Sequence, residues 1–199
     1  MPLIITVAVE GSTDEAIADK LITHVGAQPG PVYGKQGKPH LRQHVRGYNN
    51  AARHTPWLIL VDLDHEADCA PPLCQVWLPA PAPWLCFRVV VRAVEAWLLA
   101  DAETLSAFLG VAQSRVPNQP ELLDDPKTAM VNLARTSRRK AIREDMVPRE
   151  RSGRPVGPAY SSRLIEFVAG YWRPDVAAAR ADSLARTIRC LRRLVEAAA

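Results

Sequence analysis

Three short apolar runs, each nearly unbroken and rich in β-branched residues, constrain this chain most. They are Leu3-Ile4-Ile5-Thr6-Val7-Ala8-Val9, Trp57-Leu58-Ile59-Leu60-Val61 and Leu85-Cys86-Phe87-Arg88-Val89-Val90-Val91. A strand with one wet face alternates apolar and polar residues. A run that stays apolar reads instead as a strand buried on both sides, in a parallel sheet covered by helices. The intervening sequence supplies those helices. Thr13 to Val25 places Ala16, Ile17, Leu21 and Val25 on one face, and Ser12-Thr13-Asp14-Glu15 opens it as a capping box. A second helix is predicted from Pro39 to Arg53, after a glycine-rich turn at Gly34 and Gly37. Prolines crowd Asp68 to Pro83, which predicts loop with at most a short helix.

Beyond the third run the pattern becomes helical. Ala93 to Leu109 is apolar at helical spacing and stops at Gly110, and a proline-containing loop runs on to Asp125. Pro126 to Glu144 reads as a basic helix, Met146 to Pro158 as a mobile loop, and Ser161–Tyr171 and Asp175–Ala198 as closing helices. The expectation is an α/β fold: a mainly parallel sheet with helices on both faces, then a C-terminal helical extension. The α/β core is expected over 1–112 and the extension over 113–199, the two packed as one unit.

The 199 residues are 48% hydrophobic and 23% charged, enough for a buried core and against wholesale disorder. The four cysteines form no CxxC pair and read as inert core or loop residues. The Leu3–Val9 run is too short for a signal peptide, lacks a basic lead-in and meets Glu10, and no run is long enough for a bilayer. The expected setting is cytoplasmic.

Two of the three runs end in acid: the first in Glu10-Gly11, the second in Asp62-Leu63-Asp64. In an open parallel sheet the functional crevice lies beyond the carboxyl ends of the strands. If the chain is still extended there, Asp62 and Asp64 share a side, and neighbouring strands would add Glu10. Two such charges about 4 Å apart repel by roughly 4 kcal/mol at an effective dielectric near 20. A hard divalent cation, Mg²⁺ or Mn²⁺, relieves that repulsion and suits phosphoryl chemistry.

Val9-Glu10-Gly11-Ser12-Thr13-Asp14-Glu15 and Val61-Asp62-Leu63-Asp64 resemble the two acidic motifs of the TOPRIM domain. Type IA and II topoisomerases, bacterial primases and OLD-type nucleases share that domain. Arg92-Ala93-Val94-Glu95-Ala96-Trp97-Leu98-Leu99-Ala100-Asp101 is similar to a segment of an uncharacterised TOPRIM-like bacterial family, the domain of unknown function 4276. Asp125-Pro126-Lys127 and Ser183 to Leu194 are similar too, so the likeness spans nearly the whole chain. The resemblance implies Glu10 as general acid or base and Asp62 and Asp64 as Mg²⁺ ligands, with Glu95 completing the catalytic set. Read from its position alone, Glu95 serves equally as a first-turn helix residue or a partner of Arg92. His65-Glu66-Ala67-Asp68 could carry a second metal or form a solvated loop.

Basic segments flank these motifs. Five Lys/Arg and no acid lie between Val32 and Arg53, and a second block holds Arg135, Arg138, Arg139, Lys140 and Arg143. Such runs are usually solvated helix faces, but they also suit a phosphate backbone. His40 and His44 at i,i+4 lack an HExxH frame and join the basic segment rather than a zinc site. The expected function is Mg²⁺-dependent phosphodiester chemistry on nucleic acid, as a nuclease or defence-associated protein. Arg92, Lys127, Arg138, Arg139 and Lys140 are the candidate phosphate contacts. The alternatives are a non-catalytic module binding nucleic acid or a partner, and a hydrolase of nucleotides or other phosphorylated small molecules. No GxxxxGK[ST] run is present, so any ATPase would be a separate partner.

Overall fold

The computed structural model describes residues 2–199. Its elements begin β1 (Ile4–Val9), α1 (Ser12–His24), β2 (Gln28–Gly34), α2 (Lys38–Ala51), β3 (Trp57–Asp62), α3 (Ala70–Trp77) and β4 (Leu85–Val90). Then follow α4 (Val94–Ala100), α5 (Ala102–Leu109), α6 (Pro126–Arg135), α7 (Lys140–Met146), α8 (Tyr160–Gly170), α9 (Pro174–Ala178) and α10 (Asp182–Ala197). The three apolar runs are strands, and all four strands pair in parallel in the order β2-β1-β3-β4. The α/β fold class follows.

The unexpected element is β2. Gln28-Pro29-Gly30-Pro31-Val32-Tyr33-Gly34 has the composition of a turn, yet it forms an edge strand with a register shift between Ile5 and Val7. Only an edge position tolerates two prolines, because one side of the strand needs no ladder donors. Gly34 is obligatory there. Its φ is +88°, and a Cβ would lie 2.3 Å from the Val9 carbonyl oxygen.

The sheet has two buried faces. Ala8, Trp57, Ile59, Val61, Phe87 and Val89 pack with Leu41 and Val45 of α2 and Leu73 and Trp77 of α3. The alternate residues Val7, Val9, Leu58, Leu60, Cys86 and Val90 are also buried. The right-handed crossovers from β1 to β2 and from β2 to β3 run in opposite directions, so α1 covers this second face. A hydrogen bond between the Cys86 and Cys190 thiols puts α10 there too. Each fully buried Leu or Ile contributes about 1.5–3 kcal/mol by leaving water.

The chain divides into two compact units, 1–91 with 183–199, and 92–182. The α/β unit therefore ends earlier than the expected boundary at 112, and it takes in the last helix. Three long helices expected from periodicity are each broken. The 93–109 helix breaks at Asp101, whose side chain is fully buried and accepts from the Arg173 backbone N–H and from its Nε and Nη2 at 3.0, 3.1 and 2.7 Å. The 126–144 helix breaks between Arg135 and Lys140, where Ser137 Oγ donates to the Leu109 carbonyl and the Arg138 N–H to that of Gly110. The 175–198 segment divides into α9 and α10. The loop between α7 and α8 is closed by bonds from Gly157 N to Met146 O and from Ala159 N to Asp145 O. Among the described residues, no helix is long and apolar enough to cross a membrane.

Candidate functional site at the carboxyl edge of the sheet

The strand order reverses between β1 and β3, because β1 connects onward to β2 on one side while β3 and β4 lie on the other. A crevice opens at such a switch point, beyond the carboxyl ends of the two strands. Glu10 follows β1 and Asp62 ends β3. They meet there, with the Asp62 backbone N–H donating to Glu10 Oε1 at 2.8 Å. The 34–37 turn wraps the end of β1, Lys35 N donating to Val9 O and Gly37 N to Glu10 O. That turn delivers Lys38 to the same edge.

Burial pushes the Glu10 carboxyl up to about 7, from 4.5. The Asp62 backbone hydrogen bond opposes the rise, Asp14 adds to it, Lys38 lowers it and Asp64 raises it again. Asp14 belongs to the first turn of α1 and is 9% exposed. A Cβ on Gly11 would lie 3.3 Å from its Oδ2. Ser12 does not cap α1 as expected: Gly11 is the N-cap, and Glu15 turns instead to Lys35 at 3.2 Å.

Asp64 departs from the expected geometry. Its φ is +49°, so the chain has left the extended conformation that would align it with Asp62. Aspartate tolerates this left-handed region better than most residues. Its half-exposed carboxylate accepts from Lys38 Nζ at 2.9 Å. Lys38 also reaches the Asp62 carbonyl and pairs with Glu66 at 2.9 Å. Burial works to lower the pKa of this ammonium, but its hydrogen bonds to Asp64 and Glu66 outweigh that and raise it. Lys38 is the site residue that sequence reasoning missed. Within a run of five cations nothing in one dimension distinguishes it. Only the position of Gly37 against Glu10 does.

Among the described residues, no three His, Cys, Asp or Glu side chains are already grouped as ligands for a metal ion. Glu10 and Asp62 lie together, and Asp64 and Glu66 lean on Lys38. His65 and Asp68 are exposed beside them.

The other candidates belong to the second unit. Glu95, in the first turn of α4, is 3% exposed and accepts from the Tyr160 hydroxyl at 3.1 Å, with Lys127 Nζ at 4.0 Å. Burial raises its pKa, and Lys127 opposes the rise. Tyr160 is pushed well up, first by burial and then by the Glu95 charge. Asp125 caps α6 through the Thr128 N–H and hydroxyl. Arg92 is half-buried. The basic block disperses. Arg138 is exposed, Arg139 Nη1 donates to the Phe108 carbonyl near the end of α5, and Lys140 pairs with Glu144 at 3.5 Å.

Cys86 and Cys190 form a thiol pair. The hydrogen bond from the Cys86 thiol brings Cys190 down to about 7 against the opposing effect of burial, helped by Arg88 and Arg193. Compared with family models, curated proteins and solved structures, the chain finds no match.

Proposed function

We propose that the chain carries out Mg²⁺-dependent phosphodiester cleavage in nucleic acid, as a TOPRIM-like nuclease or defence-associated protein. The observation that carries this reading is the meeting of Glu10 and Asp62 at the switch point of the sheet, with Glu10 held near neutrality. A carboxyl with a pKa of about 7 can take a proton from an attacking water and return one to a leaving oxygen at physiological pH. The Asp62 N–H fixes which way that carboxyl points. Lys38 offsets the acidic charge and attracts a phosphate.

The donor set fits a hard cation in kind: Asp62 and Asp64 would hold Mg²⁺ or Mn²⁺ through carboxylate oxygens, with Glu10 beside them for proton transfer. Bound there, the metal supplies Lewis-acid stabilisation of charge on the phosphoryl group. Asp64 joins this set by turning away from Lys38. Glu95, Arg92, Lys127, Arg138, Arg139 and Lys140 belong to the second unit and carry no part of this edge.

The test is cleavage of labelled single- and double-stranded DNA and RNA in Mg²⁺, in Mn²⁺ and in EDTA. Metal-dependent products are expected, with Glu10→Gln and Asp62→Asn each reducing the rate by about 100-fold or more. A wild-type protein that cuts none of the four substrates overturns the reading. A second reading, a non-catalytic binding module, draws on Lys38, whose ammonium already offsets Asp64 and Glu66 without any metal. Nucleic-acid binding without cleavage favours it. Phosphate release from free nucleotides would move the substrate to small molecules.

A further inference from the structure

Two thiols meet between the last strand and the last helix. Cys86 is fully buried near the start of β4, and Cys190 lies in α10. The Cys86 thiol donates to the Cys190 sulfur. The fold sets this contact. Ser183, Thr187, Cys190 and Leu194 recur at intervals of four, three and four residues, which places them on one face of α10. Ser183 meets the Val91 N–H just beyond the end of β4, and Cys190, about two turns further along the helix, meets Cys86. α10 therefore runs back along β4, and two side-chain contacts fix its register. Both cysteines belong to the same compact unit.

The two sulfurs differ in access. Cys86 has no exposure, whereas Cys190 is half-buried. Arg193, one turn along α10 from Cys190, and Arg88, two residues after Cys86, put positive charge beside the pair. That charge and the donated S–H favour thiolate at Cys190, while burial keeps Cys86 protonated. A cysteine that only fills a core has apolar surroundings and no outlet to solvent. Cys190 has an outlet, cations and a second sulfur within reach.

We infer that Cys190 is a peroxide-sensitive thiol with Cys86 as its resolving partner, so that oxidation closes a disulfide between β4 and α10. The oxidant is hydrogen peroxide. The Cys190 thiolate attacks one peroxide oxygen, the S–O bond forms, the O–O bond breaks, and the departing hydroxide takes a proton from solvent to become water. Cys190 is then a sulfenic acid. The Cys86 sulfur attacks it, the S–S bond forms, the S–O bond breaks, and the hydroxide leaves with the Cys86 proton as a second water. The two sulfurs together lose two electrons, and the peroxide gains them. Cys86 pairs in register with Leu58, whereas Asp62 pairs with Val90 at the other end of the strands. Oxidation thus fastens α10 without touching the carboxyl edge. Residues 92–182 leave and rejoin the α/β unit between the two cysteines, so the bond closes that unit where the chain returns to it.

The experiment uses the full chain carrying Cys69→Ser and Cys74→Ser, which leaves the pair as the only thiols. The folded protein is treated with hydrogen peroxide, then read by thiol titration, intact mass and a non-reducing peptide map. Both thiols should be lost together, the mass should fall by two hydrogens, and the Cys86 and Cys190 peptides should be joined. Dithiothreitol should restore both thiols, and the linked protein should melt higher than the reduced one. With Cys86→Ser added, Cys190 should stop at the sulfenic acid and be trapped by dimedone. With Cys190→Ser added, Cys86 should keep its thiol. Thiols that survive peroxide, Cys190 carried to the sulfinic acid with no link, a link between two chains, or one that forms only in urea would each overturn the inference. So would Cys86 oxidising as fast in Cys190→Ser as in the parent. If Cys86→Ser does not melt cooperatively, the link and the protection of Cys86 in Cys190→Ser decide the matter.

Discussion

Glu10 carries the charge balance of the candidate site, and its pH dependence has a definite sign. The folded carboxyl titrates at about 7, above the 4.5 of the ordinary group. Folding therefore favours its protonated form. The stability this contributes is complete below about pH 4.5 and is lost as pH rises through 7. Because the group is only half-buried, the loss is about 1–2 kcal/mol. In EDTA, Glu10→Gln should remove this slope, so the parent should lose stability relative to the variant between pH 4.5 and 7. Parallel urea stability curves across that window would show that the burial of Glu10 carries no such penalty. Lys38 gives the complementary test. Removing its ammonium in Lys38→Met leaves Asp64 and Glu66 without that counter-charge. The variant should melt lower in EDTA, and millimolar Mg²⁺ should raise its melting temperature by more than it raises the parent's. A smaller shift than the parent's would mean that Lys38 and the cation do not compete for the same charge.

At the scale of elements, the site depends on how chain segments end. The 34–37 turn can wrap β1 only because Gly34 has no Cβ to meet the Val9 carbonyl. Gly34→Ala should cost roughly 1–3 kcal/mol from backbone strain alone, with displacement of the turn adding to it. Gly47 makes the opposite case: it lies inside α2 with open space around it. Gly47→Ala should stabilise by about 0.5–1 kcal/mol, because alanine loses less backbone entropy on entering a helix. Denaturant midpoints of the two variants should move in opposite directions. In the second unit, Asp101 ends α4 and grips Arg173 ahead of α9. Burial acts to raise its pKa, but the hydrogen bonds from Arg173 bring it below the ordinary carboxylate value. Its stabilisation is therefore present above the ordinary aspartate range and fades as pH falls below it. Asp101→Asn should lower stability at neutral pH, since it removes the charge that accepts three hydrogen bonds from the half-exposed Arg173. A variant as stable as the parent at pH 7 would demote this pair to a surface contact.

At the scale of the whole molecule, the last helix belongs to the unit that the chain left at residue 91. Ser183 Oγ accepts from the Val91 N–H at 3.3 Å, which ties the return of the chain to the end of β4. The buried stripe Leu184, Ile188, Leu191 and Leu194 makes α10 part of a core. Leu191→Ala should cost about 2–5 kcal/mol. A chain ending at residue 182 should leave its α/β unit unable to fold. Normal circular dichroism and cooperative melting of that shortened chain would show that α10 is only an appendage.

Much of this was legible in one dimension because it depends on neighbours in sequence. Continuous apolar runs can satisfy their side chains only between two helical layers, so β1, β3, β4 and the parallel α/β class follow from patterning. The acids at the ends of β1 and β3 are equally local, and Glu10 and Asp62 could be named before their meeting was seen. Other features depend on partners far along the chain. The proline-rich β2 is a strand only because β1 offers it an edge. The long helical patterns break where Asp101 and Ser137 find distant groups, which periodicity does not record. Asp64 leaves Asp62 in a left-handed turn, where its carboxylate meets Lys38, 26 residues away. The stacking of Tyr33 and Tyr48 on Trp57 needs β2, α2 and β3 side by side. Local sequence sets what each segment buries, whereas charge pairing and ring stacking act through space and are settled only when the segments meet.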